Sequence, residues 1–446
     1  MTTAERPFSI DELFVSITDR KGHIRMTNHV FVRVSGYDRD ELIGRAHNVI
    51  RHPDMPRSVF RTFWQFLEEG RPVAAYVKNL AKDGAHYWVM AIAIPVPDGY
   101  LSVRLKPTSP LFALAQEIYA DVLAVEQAAE GGDVRERKAS IEAGAERLTT
   151  RLAANGHESY ESFMRAAFSA EVAARDAALV GSTRALDLTS AEPGLRAVGE
   201  ASIGTVEMLH GIGKQLAGHG TLSESLKKKS GFVEELAESI RLFSLNAILA
   251  AGRIGDGRAL GAVASLLRTR SDVAAPEIVT LGTELEEAVG LLSETSFRAA
   301  TGQIQTEMMA AFVGELLDAS MSTAEAAPQL RLLAEAVAEA SEAICTSMAS
   351  VDTVLDRLAE VSQSVERHLA VIRALEVNGR IEAARATDTE QVRVLFEEIG
   401  KQVEAAGVEL QDFSALSARG DRDDGRAARE SRVHVAAVRE AVAALA

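Results

Sequence analysis

The segment Ile240 to Arg253, reading Ile-Arg-Leu-Phe-Ser-Leu-Asn-Ala-Ile-Leu-Ala-Ala-Gly-Arg, has a degraded twin 132 positions later, from Ile372 to Arg385. At that fixed offset, with no gap, Ile240 falls on Ile372, Arg241 on Arg373, Phe243 on Leu375, Asn246 on Asn378, Ala251 on Ala383 and Arg253 on Arg385. The approaches match as well. Leu222, Leu226, Val233, Leu236, Ile240 and Phe243 recur at alternating spacings of three and four, and Val354, Leu358, Val365, His368, Ile372 and Leu375 keep the same heptad phase, with Val361 opposite Lys229. Each copy then meets a polar break, Gly255-Asp256-Gly257 or Thr387-Asp388-Thr389, before an amphipathic pattern resumes. Each twin therefore reads as the tip of a helical hairpin. Ala247, Ala250, Ala251 and Gly252, and Gly379, Ala383, Ala384 and Ala386, let two arms approach closely just before they reverse. An Ala-rich turn between core helices would have the same composition, but the matched Asn and Arg favour a contact surface.

The 446 residues are enough for two or three domains, and they divide unevenly. Of 23 aromatic residues 13 precede Ala113, as do both tryptophans and 8 of 11 prolines, so a compact mixed domain comes first and an Ala/Glu/Leu-rich helical region follows. Residues 1 to 110 carry 15 Lys/Arg against 12 Asp/Glu, and with −16 for the whole chain the remainder carries −19. Helices that acidic repel phosphate backbones, which argues against nucleic acid as a partner. The lone Cys345 precludes an internal disulfide and reads as a small buried hydrophobe. No run of 18 apolar residues occurs and the N-terminus lacks a signal-peptide pattern, so a cytoplasmic protein without direct membrane insertion is expected.

In the first part, Leu13 to Thr18 and His23 to Thr27 read as strands joined by a turn at Asp19 to Gly22. Short helices are expected at Asn28 to Val34 and, capped by Asp38, at Arg39 to Ile43. The run His47-Asn48-Val49-Ile50-Arg51-His52-Pro53-Asp54-Met55-Pro56 is a rigid loop leading into a helix from Arg57 to Glu68. Val73 to Leu80, His86 to Pro95 and Tyr100 to Lys106 complete a five-stranded antiparallel sheet with helices on one face, an arrangement that leaves a pocket.

Val34-Ser35-Gly36-Tyr37, Glu41-Leu42-Ile43-Gly44, His47-Asn48, Arg51-His52-Pro53-Asp54-Met55-Pro56, Trp64, Val77-Lys78-Asn79 and Asp83-Gly84-Ala85-His86-Tyr87-Trp88-Val89 closely resemble the PAS domain of aerotaxis and energy-taxis receptors. That resemblance implies a domain that holds FAD and reports redox state, with Arg51, His52, Asp54, Asn79 and Trp64 as cofactor-binding positions. Flavin-binding members have a tryptophan after Gly70-Arg71-Pro72, where this chain has Val73, so an aromatic wall for the ring is missing. Three fillings stay open: FAD, haem with His47, His52 or His86 as axial ligand, or neither.

Helices are expected from Leu111 to Ala129, Arg135 to Asn155 and Ser159 to Leu179, a relay over 109–192 without a chemical motif. Beyond Pro193, Ser244 to Arg253 with Gly257 to Ala264, and Asn378 to Arg385 with Phe396 to Ile399, resemble the signalling tip of methyl-accepting chemotaxis proteins. The resemblance implies a tip that contacts a chemotaxis histidine kinase and its coupling protein, here through Asn246, Arg253, Asn378, Glu382 and Arg385. Ala250 and Leu266 stand where the first tip would carry glutamates, whereas Glu382 and Glu398 survive in the second. Glu286-Glu287 and Glu397-Glu398 match paired adaptation sites, but in a chain with 64 acids an ordinary solvated face is the preferred reading.

The expected architecture is thus an α+β PAS domain over 1–108, the relay, and an all-α coiled-coil or four-helix-bundle region over 193–446 made of two hairpins, 193–327 and 328–446. Pro328 should separate the hairpins and Pro276 should interrupt the first descending arm. Two hairpins in one chain predict an internal pseudo-dimer, a rod of about 80 to 90 Å, with an ordinary homodimer as the alternative. With no phosphate loop, nucleophile arrangement or metal-spaced His/Cys cluster, an enzyme is not expected. A sensory transducer is, with a scaffold that has lost kinase control as the second reading.

Overall fold

The computed structural model describes residues 4–180, 188–189, 191–251, 258–317, 323–385, 389–418 and 424–444, without side-chain detail at 214–237 and some other helical positions. Five strands, β1 (Phe14–Asp19), β2 (Ile24–Thr27), β3 (Val73–Leu80), β4 (His86–Val96) and β5 (Gly99–Leu105), form one antiparallel sheet in the order β2-β1-β5-β4-β3. Between β2 and β3 come α1 (His29–Ser35), α2 (Arg39–Leu42), a 3-10 turn at His47–Ile50 and α3 (Arg57–Glu68). Asn28 starts α1 by accepting from Phe31 N–H, and Gly36 ends it at φ 71°, a left-handed cap that glycine adopts without a Cβ clash.

The ladder fixes which side chains share a face, because alternate residues of a strand point oppositely and paired residues point the same way. One face, the inner, carries Ser16 opposite Ser102, Phe14 opposite Arg104, Ala91 opposite Arg104 and Ala75, and Tyr87 opposite Asn79. The outer face carries Ala74, Tyr76, Trp88 and Ile92. Three further helices, α4 (Pro110–Glu130), α5 (Arg137–Ala154) and α6 (Tyr160–Leu179), follow the sheet. Phe112 of α4 meets both Tyr76 and Trp88 at 5.5 Å, and Tyr160 of α6 donates to the Ala74 carbonyl at 3.1 Å, so these helices cover the outer face.

Long helices make up the remainder: α7 (Pro193–Ala251), α8 (Arg258–Leu317), α9 (Thr323–Arg385), α10 (Glu390–Ala418) and α11 (Asp424–Ala443). The expected break at Pro276 does not occur, because α8 runs through it. Ala274, Ile278, Leu281 and Leu285 are buried on both sides of the proline, so tertiary packing carries the helix past the one lost N–H. Pro328 lies inside α9, near its start.

Packing divides the chain into two compact units, and the division crosses the long helices. One unit gathers 1–215, 294–345 and 426–446 and the other 216–293 and 346–425. Among the described residues the second has an apolar core supplied by α7, α8, α9 and α10, including Ala247, Leu281, Ile372 and Phe396. Along α9 the heptad residues Val354, Leu358, Val365, Ile372 and Leu375 are buried, while His368 at the intervening core position is partly exposed and pairs with Glu277 at 3.3 Å. Near the end of α9 a Cβ on Gly379 would collide with the Phe396 ring of α10, which is why the smallest residue stands there.

Candidate functional site

The loop 51–55 runs beside the edge strand β3. Arg51 forms an isolated bridge with Asn79, His52 N–H donates to the Lys78 carbonyl at 3.3 Å, and Lys78 N–H contacts the Met55 sulfur at 3.2 Å. Covering the edge in this way satisfies backbone groups that an open strand would leave exposed. It also sorts the expected site residues by strand alternation. Asn79 stands on the inner face, and its Nδ2 is buried with no hydrogen-bond partner. Arg51, half-buried, lies over the Phe60 ring at 4.2 Å and donates to the Met55 carbonyl at 3.0 Å.

His52 and Asp54 group differently. Asp54 pairs with Lys78 at 2.6 Å, and that hydrogen bond holds its carboxyl below the usual range. His52 is buried, accepts from Asp54 N–H at 3.1 Å and meets His86 edge-on at 6.1 Å, with Lys78 and His86 both on the outer parity of the ladder. Burial, followed by the Lys78 charge, lowers its pKa and favours neutral imidazole. Trp64 lies elsewhere, edge-on to Tyr100 at 5.5 Å and tight against Gly22.

The inner face also holds Arg104 and Ser16, which the motif does not include, beside His47, which it does. Arg104 is almost fully buried, donating from both terminal nitrogens to Ser16 Oγ at 3.1 Å and from one to His47 Nε2 at 2.6 Å. Burial lowers the arginine pKa to about 10 and, with the Arg104 charge, drives His47 well below the ordinary histidine value. His47 is therefore a neutral acceptor whose Nε2 lone pair faces a guanidinium. That lone pair is the one an axial haem bond through Nε2 would need, so His47 does not fit haem ligation.

Two glutamates tie this domain to the helices after it. Glu126 of α4 accepts from the Arg57 and Ser58 N–H groups at 2.8 Å each, capping α3 one residue beyond the 51–56 loop, and Arg57 also pairs with Glu130. Gly144 of α5 makes room, since a Cβ there would meet the Glu126 carboxylate. Glu171 of α6 is fully buried and accepts from Tyr76 OH at 2.7 Å, Thr108 N–H at 2.6 Å, Ser109 N–H at 2.9 Å and Ser109 OH at 2.8 Å. The sequence does contain a signal for both: each falls in phase with the apolar stripe of its helix, Ala115-Tyr119-Val122-Glu126 and Met164-Phe168-Glu171.

Of the expected tip residues, Asn246, Asn378 and Arg385 are exposed, Glu382 is half-buried and bonded to Arg385 at 2.9 Å, and Arg253 lies outside the described residues. Beside them Leu242, Leu245 and Leu249 of α7, and Val377 and Ile381 of α9, hold apolar side chains in solvent.

Residues 25–102 match the family model described as PAS fold. The chain is 40% identical over 124 residues to the aerotaxis receptor of Escherichia coli K12, a match covering 27% of this chain and 24% of that protein. It is 32% identical over 82 residues to the biofilm dispersion protein BdlA of Pseudomonas aeruginosa PAO1, covering 18% and 20%, and 30% identical over 89 residues to the nitrogen fixation regulatory protein of Klebsiella pneumoniae, covering 20% and 18%. It thus spans less than a quarter of the length of these relatives. Among solved structures it is similar to the light state of the Aureochrome1 LOV photoreceptor, 22% identical, covering 26% of this chain and 91% of that one at a TM-score of 0.21. Among the described residues no helix is long and apolar enough to cross a membrane. The N-terminal sheet is a PAS domain, and the chain is similar there to the aerotaxis receptor and to BdlA.

Proposed function

We propose that the chain is a non-catalytic sensory transducer whose PAS inner face binds a redox cofactor or small ligand and whose helical region carries the state of that site to a protein partner. The observation that carries this reading is the Glu126 cap. It attaches α4 to the first turn of α3, directly after the loop that brings Arg51 beside Asn79. A ligand that draws on Arg51 or Asn79 shifts the loop, and the shift reaches α4 through two charge-assisted hydrogen bonds.

FAD is the cofactor favoured by the aerotaxis resemblance, and when bound it would supply reversible redox chemistry. The buried, unpartnered Nδ2 of Asn79 and the Arg51 guanidinium fit its acceptor-rich groups. Val73 provides no aromatic wall, so stacking would contribute less than where tryptophan stands. The partners proposed are the chemotaxis histidine kinase and coupling protein, received at the tips, where an exposed apolar stripe adjoins Asn246 and Asn378. The second reading, a scaffold that no longer controls the kinase, is favoured by Ala250 and Leu266 in the first tip.

Absorbance of the purified chain tests the pocket, with a flavin spectrum expected and its loss expected in Arg51→Ala. Glu126→Gln tests the coupling. It should leave ligand affinity unchanged while uncoupling the kinase response. Retention of the response sinks the relay, and failure of the kinase and coupling protein to co-precipitate with wild type turns the assignment to the scaffold.

A further inference from the structure

The inner face contains an electrostatic imbalance that the loop residues do not address. Arg104 is only 5% exposed, and its guanidinium rests above the Phe31 ring at 5.3 Å and against a neutral histidine and a serine hydroxyl. Among the described residues no carboxylate lies within ion-pair distance of it. A buried cation without a counter-ion is among the costliest arrangements a fold can hold. Its surroundings add further hydrogen-bond donors. Tyr87, stacked on Phe14 at 5.9 Å, has a buried hydroxyl with no partner, and Thr27, opposite Ser16 on the ladder, has another. Asn79, opposite Tyr87, adds its unpartnered Nδ2.

We propose that Arg104 anchors a negatively charged or strongly electron-rich acceptor on the ligand of the inner face, an organic anion such as a carboxylate or the N1/C2-carbonyl edge of a flavin ring, which is electron-rich when oxidised and anionic when reduced. The proposal rests on the reading of this face as the sensing site. One charge and several donors call for a group bearing one negative charge and several lone pairs, and the apolar floor of Ala75, Ala91 and Phe14 suits a flat body behind it. His47 and Ser16 brace the guanidinium without neutralising it, leaving its charge for the ligand.

The test is thermal unfolding of the full chain with FAD, benzoate or benzamide. Benzamide has the flat body of benzoate without its charge. FAD or benzoate is expected to raise Tm and benzamide to leave it unchanged, with a bound yellow chromophore distinguishing a flavin from a free carboxylate. Arg104→Gln should weaken the anion's apparent affinity at least about tenfold, as expected for losing a charge-assisted bond. Tyr87→Phe removes a hydroxyl that bonds nothing in the protein, so it should leave the ligand-free Tm unchanged and still weaken binding. Equal shifts with benzoate and benzamide, or an FAD response that survives both substitutions, overturn the anionic assignment while the sensing site stands. A chain that responds to none of the three fails the sensing-site reading together with this one.

Discussion

On the outer face of the sheet, Tyr76 is answered by Glu171, which also collects three donors from Thr108 and Ser109, and aromatic rings of α4 and α6 close over it. On the inner face, among the described residues, Arg104 is buried without a carboxylate, and Thr27, Asn79 and Tyr87 hold buried polar atoms that bond nothing. The same ladder supports both, so the strand pattern does not produce the difference. What covers each face does. The outer cover supplies acceptors to the donors beneath it, whereas the elements packed over the inner face leave polar atoms of Thr27, Asn79 and Tyr87 without a partner among the described residues. A satisfied polar network fastens the helices, and an unsatisfied one is where the proposed ligand would contribute most.

The largest effect expected from breaking this contrast is on the outer face. Glu171→Ala removes the acceptor of four donors, three of them buried, and should destabilise the first unit by about 3 to 5 kcal/mol, read as a loss of denaturation midpoint. A loss comparable to an exposed substitution would remove the outer face from the argument.

Acid should expose the inner face next. His47 has a folded-state pKa far below its unfolded value, so the unfolded chain takes up the proton first. The stability of the neutral form is present above the unfolded pKa and falls as pH drops below it. The slope is about 1.4 kcal/mol per pH unit per histidine, beginning near pH 6.5. His52, shifted in the same direction, adds to it. Urea midpoints between pH 7 and 5 measure the slope, and His47→Gln should flatten it.

The smallest effect sharpens the contrast because it runs the other way. Thr27→Val replaces a buried hydroxyl that has no partner with a methyl group, so stability should hold or rise by up to about 1 kcal/mol. A clear loss in the ligand-free protein would mean that the inner hydroxyls are structural.

Much of this was legible in the residues. The strands, the Arg57 helix and the three relay helices lie within a few positions of where alternation, turn residues and apolar periodicity put them. Arg51 and Asn79 were found as motif residues and are adjacent, but His52 and Asp54 group with Lys78 and His86, because alternation along β3 sends neighbours to opposite faces. Trp64, matched in the same motif, packs on Tyr100. Arg104 carried no sequence signal beyond a basic residue in an apolar strand.

The sequence by itself determined the local elements and the two heptad approaches, since hydrophobic period and turn chemistry act between near neighbours. Tertiary structure decided what depends on contacts between distant segments: that α8 passes through Pro276, that Glu126 and Glu171 are acceptors rather than surface acids, and that Arg104 has no counter-ion among the described residues. Those outcomes are set by which donor or apolar surface arrives from elsewhere in the chain, and a residue's own neighbours in sequence do not encode that arrival.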